Sequence, residues 1–105
     1  MTTNYARGRA FEYRVKEHLE ALGYRVIRSA GSHSPVDLVA FGRGRWLFVQ
    51  CKRDGKLADE EARWLKSWGS FSGAWVILAS MPGRTGIGFT RWVENRLDWC
   101  DWSPA

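Results

Sequence analysis

Residues 29–52 have the sequence SAGSHSPVDLVAFGRGRWLFVQCK, and this stretch decides the fold. It contains two short apolar runs, VDLVAF at 36–41 and WLFVQCK at 46–52, joined by a Gly-Arg-Gly-Arg connection. Apolar runs of this length that are rich in Val, Phe and Trp and bounded by glycine predict a β-hairpin. Both predicted strands are apolar on both faces, which indicates a sheet covered by helices on its two sides.

Three polar side chains interrupt these apolar runs. Asp37 lies in the first predicted strand, and Gln50 and Lys52 lie in the second. Because side chains alternate along a strand, Gln50 and Lys52 share a face while Cys51 points the other way. Pairing of the strands brings Asp37 beside Gln50, so that a carboxylate, an amide oxygen and an ammonium converge at one end of the sheet. This group of atoms suits a hard divalent cation that holds a phosphate.

The same residues resemble a known nuclease signature. An Asp, a turn between strands and then (Asp/Glu/Gln)-x-Lys form the motif of the PD-(D/E)xK nuclease superfamily, matched here by Asp37 and the QCK of residues 50–52. Residues 28–41, RSAGSHSPVDLVAF, more narrowly resemble the archaeal-type Holliday junction resolvases, which phages also encode. Those proteins begin with a basic, glycine-containing segment and a helical Glu, and residues 4–12, NYARGRAFE, fit that pattern. The resemblance covers about the first half of the chain.

The resemblance implies a restriction-endonuclease-like fold, Mg²⁺ as cofactor with Mn²⁺ as a substitute, a branched DNA substrate such as a four-way junction, and a homodimer. It also implies a loop serine that contacts the substrate phosphate, and the match is Ser32, the last residue of the RSAGS string. The implied catalytic residues are Glu12, Ser32, Asp37, Gln50 and Lys52. The implied metal ligands are Asp37, the amide oxygen of Gln50, the backbone carbonyl of Cys51, and Glu12.

Each charged residue of this set also has an ordinary structural interpretation. A buried Asp37 is costly unless it is paired, and a salt bridge to Lys52 is the alternative to a metal. Lys52 either stabilises the charge of the phosphorane or positions the attacking water, unless it is a solvated lysine at a strand end. Glu12 binds the metal through water, completes a second site, or is an exposed helix residue.

Gln50 departs from the Glu that is commoner at this position of the superfamily. Glutamine keeps a carbonyl oxygen but lacks the charge, so that the affinity for a metal should be lower. An inactive site is therefore one open interpretation of Gln50. His33, in the loop before Asp37, is either a general base or an exposed loop histidine.

Composition limits the class of protein. The length of 105 residues predicts one domain, residues 1–105, and 45% apolar residues are enough for a hydrophobic core. The net charge of +5 favours a polyanionic partner. The sequence shows no signal peptide and no long apolar run, and Cys51 and Cys100 lack metal-ligand spacing. We therefore expect free thiols in the reducing cytoplasm of a prokaryotic or phage-infected cell.

The whole sequence predicts an α/β protein with a mixed sheet and the order α-β-β-β-α-β-β. The predicted elements are a helix at 4–22, strands at 24–29, 36–41 and 46–52, a helix at 57–69, a buried central strand at 73–80 and an edge strand at 87–93. Gly23 ends the first helix. The second helix begins with acidic residues, which suit its dipole, and its predicted apolar face is Leu57, Trp64, Leu65 and Trp68. The tail after residue 94 has no clear pattern.

Basic residues near the predicted site in sequence supply phosphate contacts that do not distinguish bases. The residues expected to bind DNA are Arg7, Arg9, Arg14, Arg28, Arg53 and Lys56, with Arg43 and Arg45 as further candidates. Most aromatic residues are expected in the core, and not in a base-stacking surface. Seven Trp residues nevertheless exceed the need of a small core. The dimer interface is expected at Trp64, Trp68, Phe89, Trp92, Trp99 and Trp102.

These observations predict a Mg²⁺-dependent endonuclease that cuts phosphodiester bonds in branched DNA. The four-way junction as substrate follows from the resemblance alone, whereas the residues themselves indicate a metal-dependent phosphodiesterase acting on nucleic acid. Two alternatives stay open. One is another structure-specific or nicking nuclease of the same fold, and the other is a non-catalytic DNA-binding protein in which Gln50 marks an inactive site.

Overall fold

The computed structural model describes residues 4–29, 34–83 and 86–105, with the side chains of residues 4–6 excepted. The helices are α1 (Asn4–Ala21) and α2 (Asp59–Ser72). The strands are β1 (Arg25–Arg28), β2 (Leu38–Gly42), β3 (Arg45–Cys51), β4 (Trp75–Ser80), β5 (Gly88–Val93) and β6 (Asp98–Asp101). The predicted α/β fold, with helices packed on a mixed sheet, is confirmed. In the described part of the chain, no helix has the length and apolarity needed to cross a membrane.

The six described strands form one sheet whose spatial order follows the order along the chain. β2 and β3 form the predicted hairpin, with Leu38 opposite Val49 and Gly42 opposite Arg45. β3 and β4 are parallel, because the α2 crossover returns the chain to the same end of the sheet, and the other neighbouring strands are antiparallel. We call the end at which β2 begins and β3 ends the Asp37 end, and the opposite end the hairpin end.

The two helices pack on opposite faces of the sheet. Val15 and Leu19 of α1 are fully buried against strand residues such as Leu47. On the other face, Leu65 of α2 packs against Val76 of β4. The central strands are therefore apolar on both faces, as their sequence predicted.

The helix α2 extends three residues beyond its predicted end at Gly69. This glycine lies against β4, where a Cβ atom would collide with the side chain of Val76. The helix ends at Gly73 instead, whose φ of 75° is left-handed and whose N–H donates to the Gly69 carbonyl at 2.8 Å. Gly69 thus permits close packing of helix on sheet and is not a stop signal.

The prediction that residues 87–93 form an edge strand was wrong. β6 pairs with the far side of β5 and places Trp99 opposite Trp92 and Cys100 opposite Arg91. A strand of four residues is too short to show a clear alternation. It also follows a turn in which Leu97 has a φ of 52°, a conformation that residues other than glycine rarely adopt. Neither feature could be inferred from the sequence pattern.

The expectation that most aromatic residues lie in the core was wrong for tryptophan. None of the seven Trp residues, all of which are described, belongs to the buried core, because a side chain of this size is rarely enclosed completely in a small domain. Trp46, Trp64 and Trp68 are exposed, and Phe71 is 94% exposed. Trp64 therefore does not belong to the buried face of α2, whereas Leu65 does.

Candidate active site

Asp37 lies immediately before β2, between the ends of two neighbouring strands. Its N–H donates to the Val49 carbonyl at 2.9 Å, and its own carbonyl accepts from the Ser29 N–H at 2.8 Å. Its side-chain Oδ2 accepts from the backbone N–H of Cys51 at 2.8 Å. The main chain and one carboxylate oxygen are thus held in place by β1 and β3. The other oxygen, Oδ1, makes no hydrogen bond with a described residue.

The surroundings of Asp37 disfavour its charge. Its carboxyl pKa is raised from 3.8 to about 6, chiefly by burial; the Cys51 N–H lowers it, Glu12 raises it, and Lys52 and Arg28 lower it. Among the described residues, no cationic group lies within 4.0 Å of this carboxylate, so the alternative of a salt bridge to Lys52 is not formed. A partly buried carboxylate without a cation is costly, and a bound cation would remove that cost.

Gln50 is the residue of the second strand that lies beside Asp37 in the hairpin. One step beyond the pair of Leu38 and Val49, the register places Gln50 beside Asp37. Gln50 is 8% exposed. Among the described residues, the buried set is otherwise apolar. Its amide makes no hydrogen bond with another described residue. The amide is not among the fully enclosed unpaired polar atoms of the described residues, so a water molecule or a cation can reach its oxygen.

The helix α1 brings Glu12 to the Asp37 end of the sheet. Its Oε1 accepts a hydrogen bond from Nε of Arg28 at 3.0 Å, and the side chains of Glu12 and Arg28 are 20% and 18% exposed. The alternative of an exposed helix glutamate is therefore excluded. Arg28 also lies over the ring of Tyr13, with its Cζ 4.9 Å from the ring centroid. Much of this arginine, which we predicted to bind DNA, is thus engaged within the protein.

Lys52 directly follows β3 and is partly exposed. Its Nζ lies 2.7 Å from Oε2 of Glu61 in the first turn of α2. Its backbone N–H donates to the Ala79 carbonyl at 2.9 Å, which fixes the residue beside β4. Glu61 is a neighbour that the sequence did not reveal, because the acidic start of α2 was fully explained by the helix dipole.

The part of Cys51 that suits a hard cation is its backbone carbonyl and not its sulfur. Burial raises the pKa of its thiol well above the ordinary value, and the carboxylates of Asp37 and Glu12 raise it further. The thiol therefore stays neutral near pH 7 and is a poor ligand for a hard cation. Both cysteines are free, as predicted.

The donor atoms at this end of the sheet fit a cation that accepts oxygen ligands. In the described ranges no group of three or more His, Cys, Asp or Glu side chains is arranged to hold a metal. A metal held here would depend on the Asp37 carboxylate, the Gln50 amide oxygen, backbone oxygens and water. Mg²⁺ accepts such a set, because it commonly binds through one or two carboxylates and keeps several water molecules.

A cleft of about 720 Å³ opens between the start of α1 and the end of β3. Arg7 lines it from the helix, and Lys52 and Arg53 line it from the sheet. Arg14 reaches Met81, which also lines the cleft, with its Nη1 3.7 Å from the sulfur. Basic residues that are far apart in the sequence thus form walls suited to a phosphate backbone.

The other residues predicted to contact the substrate do not all lie near the cleft. Arg9 of α1 and Lys56, in the turn after β3, are exposed. Arg43 and Arg45 lie at the hairpin end, away from Asp37. Ser32 and His33 lie outside the described residues.

The fold and the residues at the Asp37 end of the sheet together define a class of protein. The chain is a mixed-sheet α/β protein of the nuclease-like kind, with a carboxylate, a buried amide and a lysine gathered at one end of the sheet. Its sequence matches the family described as archaeal Holliday junction resolvase (Hjc) over residues 3–97, and the chain belongs to this family. The resemblance found in the sequence is therefore confirmed.

Two relatives show how far the similarity extends. The crossover junction endodeoxyribonuclease Hjc of Methanocaldococcus jannaschii is 45% identical over 56 residues, which are 53% of this chain and 41% of that protein. The alignment thus spans less than half of that relative's length. The structure of Archaeoglobus fulgidus Hjc, a Holliday junction resolvase from an archaeal hyperthermophile, matches with a TM-score of 0.69 and 27% identity. That match covers 78% of this chain and 74% of the other, and it confirms the predicted fold class.

Proposed function

We propose that this chain is a metal-dependent endonuclease that resolves four-way DNA junctions by symmetric cleavage of phosphodiester bonds. Membership of the Hjc family supports the junction as substrate. The catalytic part rests on Asp37, a carboxylate with a raised pKa and no cationic partner among the described residues. We further propose that residues 1–105 act as one nuclease domain and that the protein works in the cytoplasm of a prokaryotic or phage-infected cell.

Mg²⁺ is the cofactor that we infer, with Mn²⁺ as a substitute, because both ions prefer oxygen ligands. The residues that would hold it are Asp37, Gln50 through its amide oxygen, Cys51 through its backbone carbonyl, and Glu12 directly or through water. A metal ion held by these residues would lower the pKa of a bound water molecule and would stabilise negative charge on the phosphate.

The other residues act on the phosphate and on the DNA backbone. The ammonium of Lys52, beside the cleft, stabilises the charge that develops on the phosphorus oxygens or orients the attacking water. Ser32 contacts the same phosphate. The residues proposed to hold the flanking phosphates are Arg7, Arg9, Arg14, Arg28, Arg53 and Lys56. Contacts of this kind position the DNA without distinguishing its bases.

A cleavage assay tests this function. Labelled four-way junction, linear duplex and flap DNA are each incubated with the protein in Mg²⁺, in Mn²⁺ and in EDTA. We expect paired cuts in the junction with either metal, and none in EDTA. Cleavage of the flap or nicking of the duplex in preference to the junction would favour another nuclease of the same fold. Junction binding without cutting in either metal would favour the non-catalytic alternative that Gln50 suggests.

The Gln50→Glu variant tests whether this side chain is a metal ligand. A carboxylate at the same position adds a negative charge next to Asp37, so we expect an active enzyme that reaches half of its maximal rate at a lower Mg²⁺ concentration. The measurement is the cleavage rate against Mg²⁺ concentration for both proteins. An unchanged Mg²⁺ requirement would remove Gln50 from the proposed ligand set.

A two-fold homodimer is the assembly that we propose, because symmetric cleavage needs two sites and the described part of one chain offers one candidate site. The exposed aromatic side chains of α2, namely Trp64, Trp68 and Phe71, support this part of the surface as the interface. Phe48, Trp68 and Phe71 also line a depression of about 470 Å³ that a side chain of a second copy can fill.

Part of the interface expected from the sequence is not available on the surface. Phe89 is 7% exposed and belongs to the core, so its expected place in the interface was wrong. Trp92 and Trp99 pack against each other across β5 and β6, with ring centroids 5.7 Å apart. Trp102 similarly packs edge-on against Phe89. These three tryptophans are occupied within the chain, and α2 becomes the main element of the proposed interface.

Sedimentation equilibrium at micromolar protein tests the dimer. We expect a species of twice the 12.1 kDa of one chain, and conversion to the single-chain mass in Phe71→Ser, because that side chain is the most exposed large apolar group of the described surface. Leu97→Ser is a matched control, since Leu97 is 72% exposed but lies in the β5–β6 turn. A mass of 12.1 kDa for the free unaltered protein, together with one chain per junction in the complex with DNA, would contradict the proposed assembly.

A further inference from the structure

Two arginines and a tryptophan form a cluster at the hairpin end of the sheet. Arg45 begins β3, Trp75 begins β4, and Arg91 lies on β5 opposite Ile77. Cζ of Arg45 lies 4.1 Å from the centroid of the Trp75 ring, and Cζ of Arg91 lies 3.3 Å from it. The Trp75 ring of β4 is thus in contact with one guanidinium group from β3 and one from β5.

This cluster concentrates positive charge without a partner of opposite sign. The side chains of Arg45 and Arg91 make no ion pair and no hydrogen bond with another described residue. Nε of Arg91 is buried and has no hydrogen-bond partner. The pKa of Arg91 is lowered chiefly by burial and then by the nearby charge of Arg45, while Cys100 raises it. A pair of like charges without a described carboxylate beside it favours a ligand with negative charge.

Openings on both sides of Trp75 give such a ligand access. One depression, of about 560 Å³, is lined by Arg45 and by the segment that joins α2 to β4. The other, of about 250 Å³, is lined by Arg91 and Lys66, and Nζ of Lys66 lies 3.7 Å from the centroid of the Trp92 ring. Glu94 is the acidic residue at this second opening, and it accepts a hydrogen bond from the Trp92 indole at 2.7 Å.

The cluster is separate from the candidate active site. Trp75, which both guanidinium groups contact, pairs with Leu47, and four residues of strand at roughly 3.3 Å each place it about 13 Å from the level of Cys51. Arg45 lies two residues further from Cys51 than Leu47 does, and Arg91 is level with Val49 through Ile77. DNA rises about 3.4 Å for each base pair, so that about four base pairs span the same distance. A duplex that lies along the sheet from the Asp37 end therefore reaches the cluster about four base pairs further on.

We propose that Arg45, Trp75 and Arg91 form a second phosphate-binding site that holds the backbone of a junction arm about four base pairs from the cleaved bond. This inference rests on the proposed function, because it takes DNA as the ligand. Guanidinium groups bind phosphate oxygens through paired N–H donors, and two of them on one indole offer such donors to one segment of the DNA backbone. The Trp75 ring holds the guanidiniums in place, so the ring serves as a support for the arginines and does not stack on a base.

Junctions with neutral backbone patches test the position of this contact. Three consecutive phosphates are replaced by methylphosphonates, centred three, six, nine or twelve base pairs from the branch point, and binding is measured in EDTA. We expect the unaltered protein to lose roughly tenfold in affinity for one patch, the one that removes the contact phosphate. The Arg45→Gln, Arg91→Gln double variant should show the same loss on the unmodified junction and no further loss with that patch. Its binding should also depend less on salt, with a slope smaller by about 1 to 2.

Control variants separate this contact from folding, from assembly and from a general loss of charge. Arg96→Gln removes an exposed arginine in the β5–β6 turn and should keep the affinity, the salt slope and the patch pattern of the unaltered protein. If the double variant has a lower melting temperature, Arg45→Gln alone, which keeps the buried Nε of Arg91, provides the same comparison. An identical response of variant and unaltered protein to every patch would overturn the proposal. A change of sedimentation mass in the variant would also overturn it, because the cluster would then serve assembly.

The proposed function can fail without this inference failing. Cleavage is measured separately in Mg²⁺, so a protein that binds junctions with the expected patch pattern and does not cut them would disprove the endonuclease and retain the second phosphate site.

Discussion

Asp37→Asn should abolish junction cleavage and at the same time increase the stability of the metal-free protein. Asparagine keeps an oxygen that can accept from the Cys51 N–H, so that the hydrogen bond of 2.8 Å can be retained. It removes the negative charge, which is the property that a divalent cation requires. We expect cleavage to fall by at least about 10³-fold, as when a principal electrostatic group of an active site is lost, and junction binding to stay within a few-fold.

The gain in stability follows from the direction of the pKa shift. The Asp37 carboxyl has a pKa of about 6 in the folded chain against 3.8 ordinarily, so the folded state binds this proton more tightly than the unfolded state does. Its contribution to stability is complete below pH 3.8 and is lost as the pH rises through about 6. At pH 8 the ionised group is therefore destabilising. A shift of this size would correspond to roughly 3 kcal/mol, and we expect about 1–2 kcal/mol because solvent screens a partly exposed group.

Thermal and denaturant unfolding of the two proteins measures this effect. The free energy of unfolding of Asp37→Asn should exceed that of the unaltered protein by about 1–2 kcal/mol at pH 8 and by about half of that at pH 5. Mg²⁺ should raise the melting temperature of the unaltered protein and leave that of Asp37→Asn unchanged, because only the former binds the ion in its folded state. A less stable Asp37→Asn protein at pH 8 would mean that Asp37 is stabilised by contacts within the chain, and the argument for a metal would lose its physical basis.

The Asp37 end of the sheet could be predicted because its signals are local. Two apolar runs joined by a glycine-containing turn define a hairpin, and alternation along it then fixes which side chains share a face. The observed register places Leu38 opposite Val49 and so brings Gln50 beside Asp37, as expected. The helical spacing that buries Phe11 and Val15 likewise sets the position of the adjacent Glu12 at the sheet.

The parts that could not be predicted depend on contacts between distant segments. Glu61 reaches Lys52 only because α2 crosses the sheet and returns next to β3, and no local pattern gives that distance. Arg91 meets Trp75 only because β5 pairs with β4 in one particular register. The acidic start of α2 had a sufficient local explanation, and an arginine within a strand has no periodic signature. Neither of these two sequence features therefore predicts the contacts that these residues make in the fold.

Lys52→Ala should reduce cleavage by about 10²–10³-fold at saturating junction, with binding kept within a few-fold. The ammonium is placed by the end of β3 beside the cleft, where it can stabilise charge that develops only in the transition state. A loss of that interaction lowers the rate of the chemical step and not the affinity for the substrate. The measurement is the single-turnover cleavage rate, together with the dissociation constant in EDTA.

The Glu61→Gln variant distinguishes this catalytic role from a structural one. Lys52 and Glu61 form an ion pair of 2.7 Å between partly exposed side chains, and pairs of this kind contribute about 0–1 kcal/mol. If Lys52 acts on the phosphate, Glu61→Gln should keep the cleavage rate within about fivefold, because it removes only the partner that restrains the lysine. If the effect of Lys52→Ala came from the lost ion pair, both variants would lose the same activity and the same stability. Equal losses would therefore remove Lys52 from the catalytic group, whereas a large loss confined to Lys52→Ala places its ammonium at the reacting phosphate.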